Sequence, residues 1–114
     1  MKMRIDARGD VSIVFIDGNI LLEYVPVFKM NLLDLAKQGK VNIVLDMALT
    51  NYITSTCLAA IVEVKKKVIA LGGDLKLSGV NQLVRNLLET TVLIRKIEIF
   101  DDVDSAVRSF ASSN

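Results

Sequence analysis

The stretch Asn51-Tyr-Ile-Thr-Ser-Thr-Cys-Leu58 lies between a short apolar segment and a long segment of helical periodicity. The segment before it, Val41 to Leu45, is rich in β-branched residues and predicts a strand covered on both faces, ending in Asp46. In the segment after it, apolar residues recur at steps of four and three, which predicts an amphipathic helix from about Ser55 to Leu71. Three consecutive hydroxyl side chains, at positions 54–56, therefore fall where a helix begins.

The predicted start of this helix carries recognisable local signals. The first N–H groups of a helix lack partners within it, and their partial positive charge favours anions such as phosphate. Thr54 suits the N-cap position, where its hydroxyl accepts a hydrogen bond from a backbone N–H of the first turn. Ile53 and Leu58 then have the spacing of a hydrophobic staple. Ser55 points outward without a structural duty in this arrangement; the alternative is that all three hydroxyls only cap and solvate the helix.

The other segments alternate between strand and helix patterns and predict a single α/β domain over residues 1–114. A period of two followed by Arg8-Gly9-Asp10 predicts an antiparallel hairpin at the start. Pro26 predicts the first turn of a helix, preceded by an extended Val25. The predicted order is ββαβαβαβα in a mixed, mostly parallel sheet, with strands at 2–7, 11–16, 41–45, 75–78 and 96–100 and helices at 26–38, 55–71, 81–89 and from 103 onward.

Each predicted helix has an apolar stripe that we expect to face the sheet. Val27, Met30 and Leu33 lie off the stripe of the first helix, which indicates either a wide core face or a contact surface for another protein. Lys65-Lys66-Lys67 indicates a solvated face. Right-handed crossovers place the loops 18–25, 50–56, 79–81 and 101–103 at one edge of the sheet. The inward residues predicted are Phe28, Leu32, Leu35, Ala36, Cys57, Leu58, Ile61, Val64, Val68, Ile69, Leu71, Leu83, Val84, Leu87, Leu88, Val103, Ala106, Val107 and Phe110.

The composition excludes several classes of protein. No apolar run reaches the roughly 20 residues of a membrane span, and the N-terminus lacks a signal-peptide core, so we expect a cytoplasmic protein that does not enter membranes. A net charge of +1, with only two tyrosines and four phenylalanines, disfavours nucleic-acid binding. The absence of histidine and the single cysteine argue against hydrolase triads, zinc sites and disulfides. We therefore expect no catalytic residues, no metal and no cofactor.

The length, the element order and the junction between strand, hydroxyls and helix resemble the STAS domain of bacterial anti-sigma factor antagonists, over nearly the whole chain. In that family, an aromatic-aliphatic-Asp-Ser-Ser/Thr-Gly-Leu segment opens the long helix. Tyr52 and Ile53 match the aromatic-aliphatic pair, and Leu58 matches the leucine. Ser55 matches the phosphorylated serine of the family and Thr56 matches the hydroxyl that follows it.

The chain departs from the family pattern at three positions. Thr54 stands where the family has aspartate, which keeps the cap but removes a carboxylate. Cys57 stands where the family has glycine, which adds volume at a close approach of chains. The family's Gly-x-Leu-Asp after the second strand is here Gly18-Asn-Ile-Leu21, so a second carboxylate is also replaced.

The resemblance implies a non-enzymatic regulator that binds an anti-sigma factor, often a serine-kinase-like protein, and so releases a sigma factor. It implies Ser55 as the phosphoacceptor, with Thr56 second. Contacts with the partner are expected at Leu21, Leu22, Tyr24, Thr54, Ser55, Thr56 and Lys66.

Two other functions remain open on the sequence. The first is an unphosphorylated STAS scaffold or sensory module that acts by protein–protein contact or by self-association, as a monomer or a homodimer. The second is a receiver-type domain phosphorylated on Asp46. It is disfavoured because the chain lacks the acidic pair that would hold magnesium beside the first parallel strand.

Overall fold

A five-stranded sheet organises the computed structural model, which describes residues 1–90 and 97–111. The elements follow the predicted order ββαβαβαβα, with one additional 3₁₀ turn before the first helix. Their bounds are β1 Lys2–Arg8, β2 Val11–Asp17, the 3₁₀ turn Leu22–Tyr24, α1 Val25–Lys37, β3 Asn42–Leu49, α2 Ser55–Ala70, β4 Asp74–Ser78, α3 Gln82–Thr90, β5 Ile99–Phe100 and α4 Val103–Ala111.

The strands lie side by side in the order of the chain, β1-β2-β3-β4-β5. β1 pairs antiparallel with β2 over its whole length, and the other neighbours pair in parallel. The prediction of a mixed, mostly parallel sheet is thus confirmed. Because β2 to β5 run in the same direction, their carboxyl ends meet at one edge, which we call the carboxyl edge.

Helices cover both faces of the sheet. On one face, α1, α2 and α3 enclose the larger core, in which Phe28, Leu45 and Ile61 are fully buried. On the other face, α4 covers a smaller core that contains Ile13 and Ala106. No described helix has the length and hydropathy of a transmembrane span.

The start of α1 differs from the prediction. Val25 was predicted to be extended, but it is helical, with φ −57° and ψ −43°. The 3₁₀ turn Leu22–Tyr24 runs directly into α1, so the backbone at Val25 is already curled when the helix begins. Val25 is buried in the larger core, and this packing offsets the unfavourable contact of a helical residue with the ring of the following proline.

The strand before the hydroxyl stretch is longer than predicted. β3 continues to Leu49 instead of ending at Leu45–Asp46, because Met47 is buried and the pairing with β2 extends to Asp17. Asp46 lies within the strand, where its carboxylate accepts a hydrogen bond of 2.9 Å from the Ser78 hydroxyl of β4. Because this hydrogen bond satisfies the carboxylate, Asp46 can lie inside the sheet and does not end the strand as predicted.

Three predicted core residues are exposed, so the inward stripes are narrower than predicted. Ile69 and Leu71 are 50% and 49% exposed because α2 ends at Ala70, where the chain leaves the core. Leu83 is 59% exposed, because α3 is a short helix that buries Val84 and Leu88 instead. The other predicted inward residues are buried or partly buried.

The predicted solvated lysine face is wrong for Lys65. Its side chain is only 12% exposed, and its ammonium donates to the Asp74 carboxylate at 2.6 Å and to the Leu75 carbonyl at 3.3 Å. Lys66 and Lys67 are exposed as predicted. The fifth strand is assigned only at Ile99–Phe100. Residue 96, the first residue of the predicted strand, lies outside the described residues, as do positions 91–95 and 112–114.

Candidate partner-binding site

The hydroxyl corner, which we define as residues 50–56, connects the carboxyl end of β3 to α2. Thr50 is buried, and its hydroxyl donates to the carbonyl of Gly18 at 3.1 Å. The backbone N–H of Gly18 donates in return to the carbonyl of Leu49 at 3.1 Å. These two hydrogen bonds join the carboxyl ends of β2 and β3 at the start of the corner.

Two asparagines outside the corner hold its backbone. The Asn19 side-chain oxygen accepts hydrogen bonds from the N–H groups of Asn51 at 2.9 Å and Tyr52 at 3.1 Å. The Asn81 amide donates to the carbonyl of Asn51 at 2.9 Å, while its oxygen accepts from the N–H of Val84 and caps α3. The loops after β2, β3 and β4 thus meet at the carboxyl edge, as predicted.

The helix start follows the predicted capping geometry. Thr54 is extended, with φ −89° and ψ 163°, and its hydroxyl accepts from the N–H of Cys57 at 3.1 Å. Ile53 and Leu58, on either side of this cap, are both buried in the larger core. Ser55 and Thr56 are exposed as the first two residues of α2, and within the described residues neither hydroxyl makes a hydrogen bond.

A groove runs along each side of these two exposed hydroxyls. Ser55 lines a groove of about 310 Å³ toward α3, and Thr56 lines a groove of about 380 Å³ toward α1. We call them the α3 groove and the α1 groove. The α3 groove is lined by Tyr52, Ile53, Ser55, Leu83, Val84, Asn86 and Leu87. The α1 groove is lined by Leu22, Val25, Pro26, Lys29, Thr56, Ala59, Ala60 and Glu63.

The structure brings some of the predicted contact residues together. Leu22, 62% exposed, shares the α1 groove with Thr56, and Leu21 and Tyr24 are exposed on either side of it in the chain. Lys66 is also exposed, but it lies about 16 Å along the α2 axis from Ser55, given the rise of a helix. It is therefore at a distance from the corner.

The sequence did not predict the hydrogen bonds of Asn19 and Asn81 to the backbone of the corner, and it predicted Leu83 to lie in the core. An asparagine after a glycine at the end of a strand is a turn signal. It does not indicate which other loop the side chain will reach. Tyr52 was recognised as part of the family motif, but its place on the wall of the α3 groove became evident only in the structure.

The corner itself carries no charge. Residues 50–56 contain no acidic or basic side chain, so the carboxylates replaced at Thr54 and Leu21 are not supplied by neighbours within the corner. Burial of the Cys57 thiol raises its pKa to about 12, which keeps it protonated and unreactive. Lys29 and Glu63, which both line the α1 groove, form an ion pair that joins α1 to α2. This arrangement can pack against an apolar partner, and it has an unpaired serine at a helix N-terminus.

Comparison with known proteins points to one family. A family model of the STAS domain matches residues 2–106. A crystal structure of a Thermotoga maritima protein provisionally assigned as an anti-sigma factor antagonist is similar over 96% of this chain and 94% of its own, with 25% identity and a TM-score of 0.90.

The anti-sigma factor antagonist SpoIIAA shares this fold at lower identity. Its unphosphorylated form is similar over 99% of this chain and 100% of its own, with 10% identity and a TM-score of 0.78. Its phosphorylated form, from Bacillus, covers 95% and 98% respectively, with 11% identity and a TM-score of 0.76. No curated protein sequence gives a significant match to the chain.

Proposed function

The chain belongs to the STAS domain family, and from that premise we propose that it is an anti-sigma factor antagonist. In this role it binds an anti-sigma factor in the cytoplasm, without catalysing a reaction, and so releases a sigma factor. One observation carries the proposal: the exposed hydroxyls of Ser55 and Thr56 lie between two grooves, at the positions of the family's phosphorylation motif. The similarity to the Thermotoga maritima protein supports the same role.

The proposed contact surface has apolar groups available for burial. Leu22 lines the α1 groove, and the large side chains of Leu21 and Tyr24, close to it in the chain, are also exposed. Full burial of an exposed leucine contributes roughly 1.5–3 kcal/mol, and because Leu21 and Leu22 are 51% and 62% exposed, a partner that covers one of them gains about half of that value. The surface around Thr54, Ser55 and Thr56 adds hydroxyl groups that can exchange hydrogen bonds with the partner. Lys66 would contact only a partner that extends well along α2.

We propose further that phosphorylation of Ser55, with Thr56 as a second acceptor, controls this contact. A phosphoserine adds close to two negative charges at the first residue of α2, where the helix favours anions, so the fold tolerates it. A partner packed into the α3 groove would have to desolvate that dianion next to Ile53 and Leu87, which is costly. The phosphate therefore releases the partner without unfolding the domain. A serine-kinase-like anti-sigma factor is the partner that could also add the phosphate.

The test begins with recovery of the bound partner from the native host and identification of it as an anti-sigma factor. Binding is then measured for the wild type, Ser55→Ala and Ser55→Glu. We expect Ser55→Ala to bind, Ser55→Glu to bind more weakly by tenfold or more, which corresponds to about 1.4 kcal/mol, and both to keep the wild-type unfolding temperature. A large loss of stability in Ser55→Glu would mean that Ser55 has a structural role instead.

Phosphorylation is tested separately, by incubation with the partner and ATP followed by mass spectrometric mapping. The expected product carries one phosphate on Ser55, and Ser55→Ala shifts any residual label to Thr56. If Ser55 stays unmodified in a preparation that binds its partner, phosphorylation control is contradicted, whereas the proposed binding is not.

A second candidate function is that of a STAS scaffold that is never phosphorylated. The absence of charge from residues 50–56 favours it, since the family's aspartate before the serine is Thr54 here. Binding that is identical for Ser55→Ala and Ser55→Glu would support the scaffold and contradict the switch.

A further inference from the structure

β1 forms an open edge of the sheet. It pairs with β2 on one side only, and six of its seven residues are exposed, so no described element covers its outer side. The outer N–H and C=O groups of a seven-residue edge strand are a template for pairing with another strand. In the single chain the N–H of Ala7 donates to the Asp6 carboxylate at 2.9 Å, and pairing with a second strand would exchange this bond. Ile5, in the middle of β1, is 47% exposed.

The side chains of β1 separate by chemistry between the two faces of the sheet. Met3, Ile5 and Ala7 lie opposite Ile16, Val14 and Ser12 of β2, on the face covered by α1 and α2. The charged residues of β1 lie on the α4 face, where the Arg4 guanidinium stacks on the Phe15 ring at 4.2 Å from its centroid. Arg8 is paired with Asp104 of α4.

This pattern is complementary to itself in one antiparallel register. When two β1 strands pair around a two-fold axis through Ile5, the two Ile5 side chains face each other and Met3 faces Ala7. On the α4 face, Arg4 of each strand faces Asp6 of the other, which gives two opposite-charge pairs. At each end Lys2 faces Arg8, and the repulsion between them is reduced because Arg8 is already paired with the Asp104 carboxylate.

The neighbouring registers are less favourable. A shift of two residues in one direction places Arg4 opposite Arg4, and it also places Lys2 opposite Asp6. A shift in the other direction places Asp6 opposite Asp6 and Arg4 opposite Arg8. Like charges that face each other directly destabilise a strand pair. The main difference between the registers is their length, since the register centred on Ile5 pairs all seven residues of β1 and each shifted register pairs only five.

We propose that β1 is a self-association surface through which two copies of this chain join their sheets into one ten-stranded sheet. A pairing of two seven-residue strands is small beside the roughly 1,200–2,000 Å² of a standard stable interface, so the dimer dissociates on dilution. No residue of β1 lines the α1 groove or the α3 groove. The dimer therefore carries two accessible hydroxyl corners and does not depend on the function proposed for them.

The first test is the mass of the wild type by light scattering, from low micromolar to near-millimolar concentration. The expected mass rises from 12.6 kDa toward twice that value. Arg4→Asp should weaken the association by about tenfold, because it replaces two attractive pairs with two repulsive ones. The exposed Lys67→Asp, which reverses a charge on α2, should leave it unchanged. A mass of 12.6 kDa at every concentration would overturn the proposal.

The second test uses the double variant Arg4→Asp/Asp6→Arg, which restores the opposite-charge pairs between positions 4 and 6 in the register centred on Ile5. The shifted register in which position 4 faces Arg8 also gains opposite-charge pairs, but it pairs only five residues and places two arginines opposite each other at position 6. The double variant also lacks the contact of Arg4 with Phe15, so recovery of the dimer cannot come from restoring that contact. We expect association to return to within about threefold of the wild type, the residual scatter of pair energies. A double variant that stays as monomeric as Arg4→Asp would overturn this register.

The third test is cross-linking of Ile5→Cys under mild oxidation. Directly opposite residues of an antiparallel pair have Cβ atoms about 4.5–5.5 Å apart, close enough for a disulfide after small adjustments. The matched control is Ile69→Cys, which is 50% exposed on α2. The native Cys57 is buried and does not interfere. A covalent dimer from Ile5→Cys alone supports the pairing, and equal cross-linking of both variants would contradict it.

Discussion

The N-cap of α2 gives a prediction whose size follows from the structure. In Thr54→Ala the N–H of Cys57 loses its 3.1 Å acceptor at the start of a 16-residue helix. Thr54 is only half-buried, so water can replace part of the lost bond, and the expected cost is about 1 kcal/mol within the range of about 0.5–2. With an unfolding entropy of about 2.1 cal/mol/K per residue, a chain of 114 residues should melt about 4 °C lower.

The assay is urea denaturation of four proteins, with thermal unfolding as a second measure. Thr54→Ser keeps the acceptor and should stay within about 0.5 kcal/mol of the wild type. Ser55→Ala should also be nearly neutral, because its hydroxyl makes no hydrogen bond within the described residues. The denaturant slope should not change in any variant. If Ser55→Ala were as destabilising as Thr54→Ala, this would refute the assignment of a structural role to Thr54 and of no structural role to Ser55.

Two further predictions concern the loops and the buried thiol. Asn19→Ala removes the acceptor of two backbone N–H groups at an exposed site and should lower the free energy of unfolding by about 1–2 kcal/mol. Asn19→Asp keeps the acceptor and should keep most of the stability. Equal losses of stability for the two variants in urea denaturation would contradict this role of Asn19. Cys57 should resist iodoacetamide in the folded protein below pH 9 and react on unfolding, because burial raises its pKa to about 12. In the unfolded chain the Cys57 thiol ionises at a lower pH than in the folded protein, at about 8.5–9. The stability that comes from keeping this thiol protonated is therefore complete below that pH and is lost as the pH rises toward 12. Cys57→Ala should lack this alkaline slope, and rapid labelling of the folded wild type would disprove the burial.

The sequence predicted the features that local chemistry determines. The cap at Thr54 and the buried pair of Ile53 and Leu58 follow from spacing alone, because a helix start has few ways to satisfy its first N–H groups. The element order followed from the alternation of strand and helix patterns. The family resemblance supplied what spacing could not, which is the role proposed for Ser55.

The features that the sequence did not predict depend on distant partners. Asp46 continues a strand because Ser78, far away in the chain, donates to it. Lys65 leaves the solvated face because Asp74 lies within reach. Asn19 bonds to a loop more than thirty residues away, which no local pattern indicates. Leu83 fitted an apolar stripe, but a helix as short as α3 has room to bury only part of it.

The most direct test of the central claim is a map of where the partner binds. Backbone amide chemical shifts of the isotope-labelled domain would be followed while the host's anti-sigma factor is added. The account predicts that the perturbed amides cluster in residues 21–29, 50–63 and 83–87, which include the hydroxyl corner and the walls of its two grooves. Perturbations confined to α4 and β1, with the corner unchanged, would contradict it.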